Sequence, residues 1–520
     1  MILASEARAL LDQHALPSGQ YTGAPYKPLL TAGLALIAGS VMPLAFAPVG
    51  WAWLAVIALA AFFVLTAQPS SRQALWSAYF FGFGYFGVGA SWVFISISQY
   101  GNGPVAAVLA TAAFISLLAL FPWSVAYLVR RLRPELDAVA LWLALPAAWV
   151  LSEWVRTWLL TGFPWLFIGY SQTDTAFANV APIFGVLGVS FLVALLAGGL
   201  AWVVLTPSLR RTAVFGAVLV ATLASLQLLN REWTQPAGQP LDVVLLQGNI
   251  EQDKKWDPDY RQIVLERYRA LTKKHLGADI VIWPEAAIPV WHDQAQEYLA
   301  ELETMADQAD TSLMIGVLVR ETEGRAYNAV VSLSDPSRFY YKRHLVPFGE
   351  YVPFRGLLGS ALDVLGAPMS DFTAGRGSIV LNAAGVPIGA FICYEAVFGA
   401  EVAELLPKAQ LLVNVSNDAW FGDSLGPHQH FQMARMRAIE TGRDLLRATN
   451  TGVTAVVSHD GKVLKRARQF EVATIDAQVT PRIGTTPYVR WRDWPVLGLI
   501  TFGLGSLLRR RLRWRQRSGR

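Results

Sequence analysis

Through the first 230 residues, apolar positions do not alternate with polar ones. They run together in blocks separated by short polar breaks. Blocks at 29–47, 50–67, 74–97, 104–129, 138–156, 180–205 and 213–229 are near the roughly 20 residues that a spanning helix requires, and an eighth stands alone at 494–508. Pro43 and Pro48 suit the end of the first helix better than its middle. From about 231 to 490 the texture changes. Short β-rich runs at 241–246, 279–283, 312–319, 387–392, 410–415 and 453–458 alternate with amphipathic stretches at 258–276, 294–309, 399–406 and 427–442. That alternation predicts a layered α/β domain. The expected organisation is a leader over 1–28, a seven-helix transmembrane domain over 29–229 and an α/β domain over 230–490. The eighth helix and a basic tail follow over 491–520.

Composition supports a membrane protein. Charged residues make up 16% of the 520, against roughly 25% in soluble chains, and tryptophan occurs 19 times. Mean hydropathy is +0.36. The breaks add orientation. Arg72, then Arg130, Arg131 and Arg133, then Arg210 and Arg211 occupy the even breaks, whereas the first and third breaks carry no Lys or Arg. Positive charge marks the cytoplasmic side. The leader is therefore expected inside, with no cleavage-like pattern after it, and the α/β domain outside. The last helix returns to a cytoplasmic tail, Arg509 to Arg517. Arg490 and Arg492 oppose this rule, while Trp491 and Trp494 fit an interfacial aromatic belt. The net charge of +5 owes much to that tail, so no nucleic-acid partner is expected. The fifth break, Thr157 to Thr175, contains Gly162-Phe163-Pro164-Trp165 and reads as a loop at the outer membrane surface or an extension of the fifth helix. Buried core helices of a soluble protein are the alternative to spans, but seven such blocks with alternating charge oppose it.

The chemistry begins with Cys393, the single cysteine, which rules out an intrachain disulfide. It ends an apolar strand and precedes Tyr394-Glu395. A strand-to-helix turn there would lower the thiol pKa, and a buried, inert cysteine is the alternative. Glu285, in Trp283-Pro284-Glu285, ends another strand in an apolar setting. A raised pKa would suit it to general-base work; a plain loop acid is equally compatible. Lys342, in Tyr341-Lys342-Arg343-His344, would stabilise an oxyanion, or else belongs to a solvated basic cluster. His428 and His430 lack a carboxylate or cysteine cluster at metal-ligand spacing, so they read as residues of a solvated turn and no metal is expected.

In this order, Glu285, Lys342 and Cys393 resemble the nitrilase superfamily, whose fold is an αββα sandwich. Five motifs extend the likeness: Gln247-Gly248-Asn249-Ile250 with Trp256, Trp283-Pro284-Glu285, Lys342 through Pro353, Cys393-Tyr394-Glu395 and Ser416 through Gly422. With the helices, they resemble the apolipoprotein N-acyltransferase family over nearly the whole chain. That resemblance implies a bacterial inner-membrane enzyme with its catalytic domain in the periplasm and no cofactor. It implies transfer of an acyl chain from a phospholipid, typically phosphatidylethanolamine, through a ping-pong thioester. The acceptor is the α-amino group of the diacylglyceryl-modified N-terminal cysteine of apolipoproteins. Glu350, Tyr394 and Glu395 are implied as supporting residues. Trp256, Trp420 and Phe421 are candidates to wall the substrate pocket or to pack in the core. Extracting a fatty chain into water costs about 0.8 kcal/mol per CH₂, so the site needs a membrane-facing opening. The apolar stretch 354–372 reads as an arm into the outer leaflet or as a packed surface loop. The competing readings are a membrane-tethered amidohydrolase and a transporter or scaffold with an inactive domain. Glu153 is the clearest charged residue in the spans, and transporters usually hold more.

Overall fold

The computed structural model describes residues 28–101, 103–133, 137–321, 324–352 and 371–517. The expected leader and most of the 354–372 stretch lie outside these residues. Each of the eight apolar blocks is helical. The first nine helices are α1 (Pro28–Val41), α2 (Trp53–Thr66), α3 (Ser71–Gly89), α4 (Trp92–Tyr100), α5 (Pro104–Leu118), α6 (Leu120–Leu132), α7 (Leu145–Val155), α8 (Ala181–Leu205) and α9 (Leu209–Leu228). The polar breaks start them: the Ser70 and Ser208 hydroxyls accept from the Gln73 and Arg211 N–H groups, and Pro104 opens α5, where a missing N–H costs nothing. Among the described residues, four helical stretches are long and apolar enough to cross a membrane: Pro28–Ala45, Pro104–Leu132, Ala176–Leu205 and Leu209–Leu228. The block expected as one helix over 74–97 is instead the pair α3 and α4, bent by 56°, a fifth crossing if the pair counts as one. Trp53–Thr66 and Ala140–Val155 are apolar but shorter.

The second half contains two six-stranded sheets. One runs β13-β2-β3-β4-β5-β6 and the other β12-β11-β10-β9-β8-β7. The strands, in chain order, are β1 (Thr234–Pro236), β2 (Leu241–Gln247), β3 (Ile280–Ile282), β4 (Ser312–Arg320), β5 (Ala326–Ser332), β6 (Asp335–Tyr341), β7 (Leu381–Ala383), β8 (Val386–Ile392), β9 (Leu411–Ser416), β10 (Leu445–Thr449), β11 (Ala455–Val457), β12 (Val463–Arg466), β13 (Ala473–Val479) and β14 (Arg482–Gly484); β1 and β14 form a separate pair. The helices here are α10 (Arg261–Lys273), α11 (Gln296–Asp307), α12 (Leu425–Thr441) and α13 (Trp494–Arg517).

Side-chain alternation builds the layers. On β2, Val243 and Leu245 face the second sheet, where Ile388, Ala390 and Leu412 complete a shared core. Val244 and Leu246 face the other way, toward Leu271 of α10 and Leu299 and Leu302 of α11. On the far side, α12 puts Phe431, Ala434 and Ala438 on the second sheet. Its Met433, Met436 and Ile439 pack into the core of the membrane-type helices. The αββα sandwich therefore rests directly on the helical half, with α12 buried between them.

The Thr157–Thr175 segment is a series of short turns rather than an extension of the fifth helix, with an exposed and a buried part: Trp158, Leu159 and Leu160 are 52%, 42% and 63% exposed, whereas Trp165, Leu166, Phe167 and Ile168 are all at most 1% exposed. It folds back under the α/β domain because Arg156 donates to the Trp165 carbonyl and the Trp165 indole donates to Gln429 of α12 at 2.6 Å.

Candidate active site

The three residues singled out by chemistry meet at the carboxyl ends of three strands, two in one sheet and one in the other, where α/β sheets commonly bind ligands. Glu285 follows β3, Lys342 follows β6 and Cys393 follows β8. The Lys342 ammonium donates to Glu285 Oε1 at 3.3 Å and to Glu350 Oε1 at 2.9 Å. Asn328, near the start of β5, donates to the same two oxygens at 2.7 and 3.2 Å. Glu285 Oε2 accepts the Asn417 backbone N–H at 2.7 Å, across from the second sheet. Glu285 can lie this close to β4 because residue 316 is glycine; a Cβ there would sit 2.3 Å from the Pro284 carbonyl.

Cys393 takes a left-handed φ of 50°, a conformation costing on the order of 1–3 kcal/mol for a non-glycine residue. Its neighbours hold that turn. The His430 ring donates through Nε2 to the Cys393 carbonyl at 3.0 Å, and its Nδ1 lies 2.9 Å from Asp418. Arg447 donates to Asp418 at 2.8 Å and bonds Asn414. Glu395 accepts from the Ile392 N–H at 2.6 Å, the Arg343 N–H at 2.7 Å and the Tyr340 hydroxyl at 2.9 Å. It thereby locks the residue before the nucleophile to the residue after the lysine.

Electrostatics correct two expectations. Burial pushes the Cys393 thiol well up and the Glu285 charge adds to this, with Lys342 opposing. The turn that follows, Cys393–Val397, is only five residues long and lacks the dipole of a long helix. The resting group is therefore a thiol, not the thiolate expected. Burial also pushes Glu285 up, but Lys342, Asn328 and Lys255 together hold it below the usual carboxylate range, so it is an ionised base rather than one with a raised pKa. Burial lowers Lys342, but Glu285 and Glu350 outweigh that and keep it charged.

Of the supporting residues, Glu350 reaches Lys342, and its Oε2 accepts the Val346 N–H at 2.8 Å. The Tyr394 hydroxyl donates to the Gly162 carbonyl at 3.1 Å, joining the nucleophile turn to the helical half. The aromatic residues separate. Phe421 packs against Trp92, Trp165 and His430, with ring centroids 4.7, 5.8 and 5.9 Å away. Trp420 meets Tyr100 edge-on at 4.8 Å, whereas Trp256 is 46% exposed. His430, expected on a solvated turn, is fully buried because Asp418 and the Cys393 carbonyl occupy both ring nitrogens. Sequence reasoning passed over Asn328, Lys255 and Arg447, and placed His430 on a solvated turn. Lys255 directly precedes the quoted Trp256, but none of the four has a spacing that announces its role.

Residues 38–199 match the apolipoprotein N-acyltransferase N-terminal domain family, and residues 243–488 match the carbon-nitrogen hydrolase family. An apolipoprotein N-acyltransferase of Methylococcus capsulatus is 46% identical over 486 residues, covering 92% of this chain and 96% of its own. One from Azotobacter vinelandii is 43% identical, covering 92% and 95%. The chain belongs to the apolipoprotein N-acyltransferase family. A solved nitrilase-superfamily structure from Saccharomyces cerevisiae aligns with 48% of this chain and 93% of its own, at 18% identity and a TM-score of 0.36. The two family matches divide this N-acyltransferase chain where its texture changes, with the helices in the first and Glu285, Lys342 and Cys393 in the second.

Proposed function

We propose that this chain transfers an acyl chain from a phospholipid to the α-amino group of the lipid-modified N-terminal cysteine of apolipoproteins. Glu285, Lys342 and Cys393 are the proposed catalytic residues. The observation that carries this reading is a neutral thiol on a strained turn beside an ionised, fully bonded carboxylate and a charged lysine. Glu285 takes the thiol proton as sulfur attacks the ester carbonyl of the donor, phosphatidylethanolamine in this proposal. The C–S bond forms, and the carbonyl π electrons move to oxygen. The remaining N–H of Lys342 and the backbone N–H of Tyr394 face that charge. Collapse expels the lysophospholipid alkoxide, which takes the proton from Glu285 and leaves a thioester. The apolipoprotein amine attacks the thioester in the second half-reaction and Glu285 takes a proton from it; the C–S bond then breaks, the amide leaves, and the proton passes from Glu285 to the Cys393 sulfur, restoring the thiol. Trp420 and Phe421 wall the acyl-enzyme against water at the junction with the helices, with Trp256 at its outer edge.

The proposed setting is the bacterial inner membrane, with eight crossings, a 29–229 membrane domain and a 230–490 domain on the periplasmic side. The ends of the helices support it. Arg130, at the end of α6, donates to the Gln68 carbonyl at 2.8 Å, so the break that carries Arg72 and the one that carries Arg130, Arg131 and Arg133 lie together at one end. The other ends meet the α/β domain: the Ala47 N–H donates to Gln432, and Tyr100 to the Ala419 carbonyl. A catalytic site over this junction sits within reach of lipid, which avoids a desolvation cost on the order of 10 kcal/mol for a whole chain.

Mass spectrometry of purified enzyme incubated with phosphatidylethanolamine alone tests the reading. The expected result is an added acyl mass on Cys393, absent in C393A and discharged by a diacylglyceryl peptide with a free amino terminus. An enzyme that gains no acyl mass, or a C393A variant that gains one, overturns it.

A further inference from the structure

Beside the three residues above lies a second buried lysine. Lys255 is only 2% exposed and closes the short turn Gln252–Lys255. Its Nζ donates to the backbone carbonyl of Glu285 at 3.2 Å, its one hydrogen bond among the described residues. Gln252, one turn earlier on the same face, accepts from the Asn417 side chain at 2.7 Å. The Asn417 backbone N–H in turn holds the Glu285 carboxylate. The turn therefore engages the main chain of Glu285 and leaves its carboxylate to Lys342 and Asn328.

An ammonium has three donors. Lys342 commits two of them to carboxylates. Lys255 commits one, to a neutral carbonyl, and keeps two in a buried environment where unmatched charge and donors are costly. The ionisable groups acting on it are the ionised Glu285, from the loop after β3, and the Cys393 thiol, from the end of β8; the half-exposed Trp256 ring lies 5.4 Å from its Nζ. Burial lowers the ammonium to about 8 despite the opposing pull of those two groups. No carboxylate bonds it directly, so its two remaining N–H groups are left for negative charge that appears at the reacting centre.

We infer that Lys255 is a further catalytic residue of the acyl-transfer site. Its free N–H groups bind the oxyanion that forms when Cys393 attacks the donor ester, and again when the acceptor amine attacks the thioester. Lys255 keeps its proton throughout; the proton in transit is the one handled by Glu285. The inference rests on the thioester reading above and deepens it.

The test is the rate of acyl-enzyme formation from phosphatidylethanolamine in detergent micelles, followed by mass spectrometry from pH 6 to 10, for the wild type, K255M and K255R. Wild-type acylation is expected to fall above about pH 8 as Lys255 loses its charge. K255M should acylate about 100-fold more slowly at pH 7, the size of effect expected for losing one oxyanion donor, and should lack that alkaline limb. K255R stays charged, so it should recover part of the rate and move the limb upward. If K255M fails to fold, the K255R profile still decides: a limb left near the wild-type position overturns the inference. So does a K255M rate within threefold of wild type, or one reduced equally at every pH, which marks a purely structural lysine. A wild-type enzyme that forms no adduct defeats the thioester reading itself. An adduct that forms normally in wild type and K255M defeats only the role given to Lys255.

Discussion

The two sheets bring different things to the same point. The β2–β6 side supplies charge: Glu285, Lys342, Asn328 and, after β6, Glu350 form a bonded cluster that is nearly dry. The β7–β12 side supplies the nucleophile on a strained turn and a scaffold of Asp418, His430 and Arg447 behind it. Charges held by several bonds each keep their position but have little freedom, whereas the thiol has few partners and is free to react. The difference shows why the site needs two sheets. The base must stay ionised beside a thiol that stays neutral, and only separate strands can give neighbouring groups such different surroundings. The ties between sheets, Glu285 to the Asn417 N–H and Glu395 to the Arg343 N–H, turn two half-sites into one.

The sharpest way to break the charge-bearing side is E285Q. It removes the base while keeping the shape, and acyl-enzyme formation should fall roughly 10²–10⁴-fold, read by mass spectrometry of the adduct. An E285Q enzyme that acylates at the wild-type rate would show that the thiol needs no base. Next comes the tie between sheets. E395Q replaces a buried carboxylate that accepts three backbone N–H groups and a hydroxyl, so the fold should lose about 1–3 kcal/mol in denaturant unfolding. Acylation should drop alongside, because Cys393 and Lys342 lose their register.

The scaffold behind the nucleophile should matter less. H430A frees the Cys393 carbonyl, and a loss of about tenfold in acylation with unaltered donor affinity would fit a role in positioning. The smallest effect separates the sides by pH. Arg447 and His430 hold the Asp418 carboxyl well below its usual range against the burial that raises it, and Glu285 is depressed in the same direction. A depressed carboxylate stabilises the fold fully above its unfolded value of about 3.9–4.3, and that contribution is lost as pH falls through the folded value. The thermal midpoint should therefore hold from pH 7 to about 5 and decline below 4. D418N should flatten the part of the decline due to the scaffold and leave the part due to Glu285.

Much of this was legible in one dimension. Apolar blocks of near-spanning length placed the helices, since a run of consecutive nonpolar residues has few other stable fates. Short β-rich runs found β2, β3, β4, β8, β9 and β11, which are almost wholly buried. They missed β5, β6, β7 and β13, as well as β12, whose residues are all exposed, and β10, where Arg447 interrupts the apolar pattern although the strand is wholly buried. Glu285 and Cys393 were readable because each sits at the end of an apolar strand within a motif resembling a known family; Lys342 follows the polar, largely exposed β6 and was readable through its motif alone.

Local sequence determined the identity of the chemical groups, the helical blocks and the strand ends that carry them. Tertiary structure decided their protonation and their partners. Whether Cys393 is thiol or thiolate depends on the balance of burial, Glu285 and Lys342, three contributions from different parts of the chain. The burial of His430 depends on Asp418 and on the Cys393 carbonyl, 37 residues away. Trp165 is buried between Gln429 of α12 on one side and the rings of Trp92 and Phe163 on the other. Spacing along a chain fixes which groups exist and roughly where a strand delivers them. The field at each group is a sum over neighbours that only the folded chain brings together.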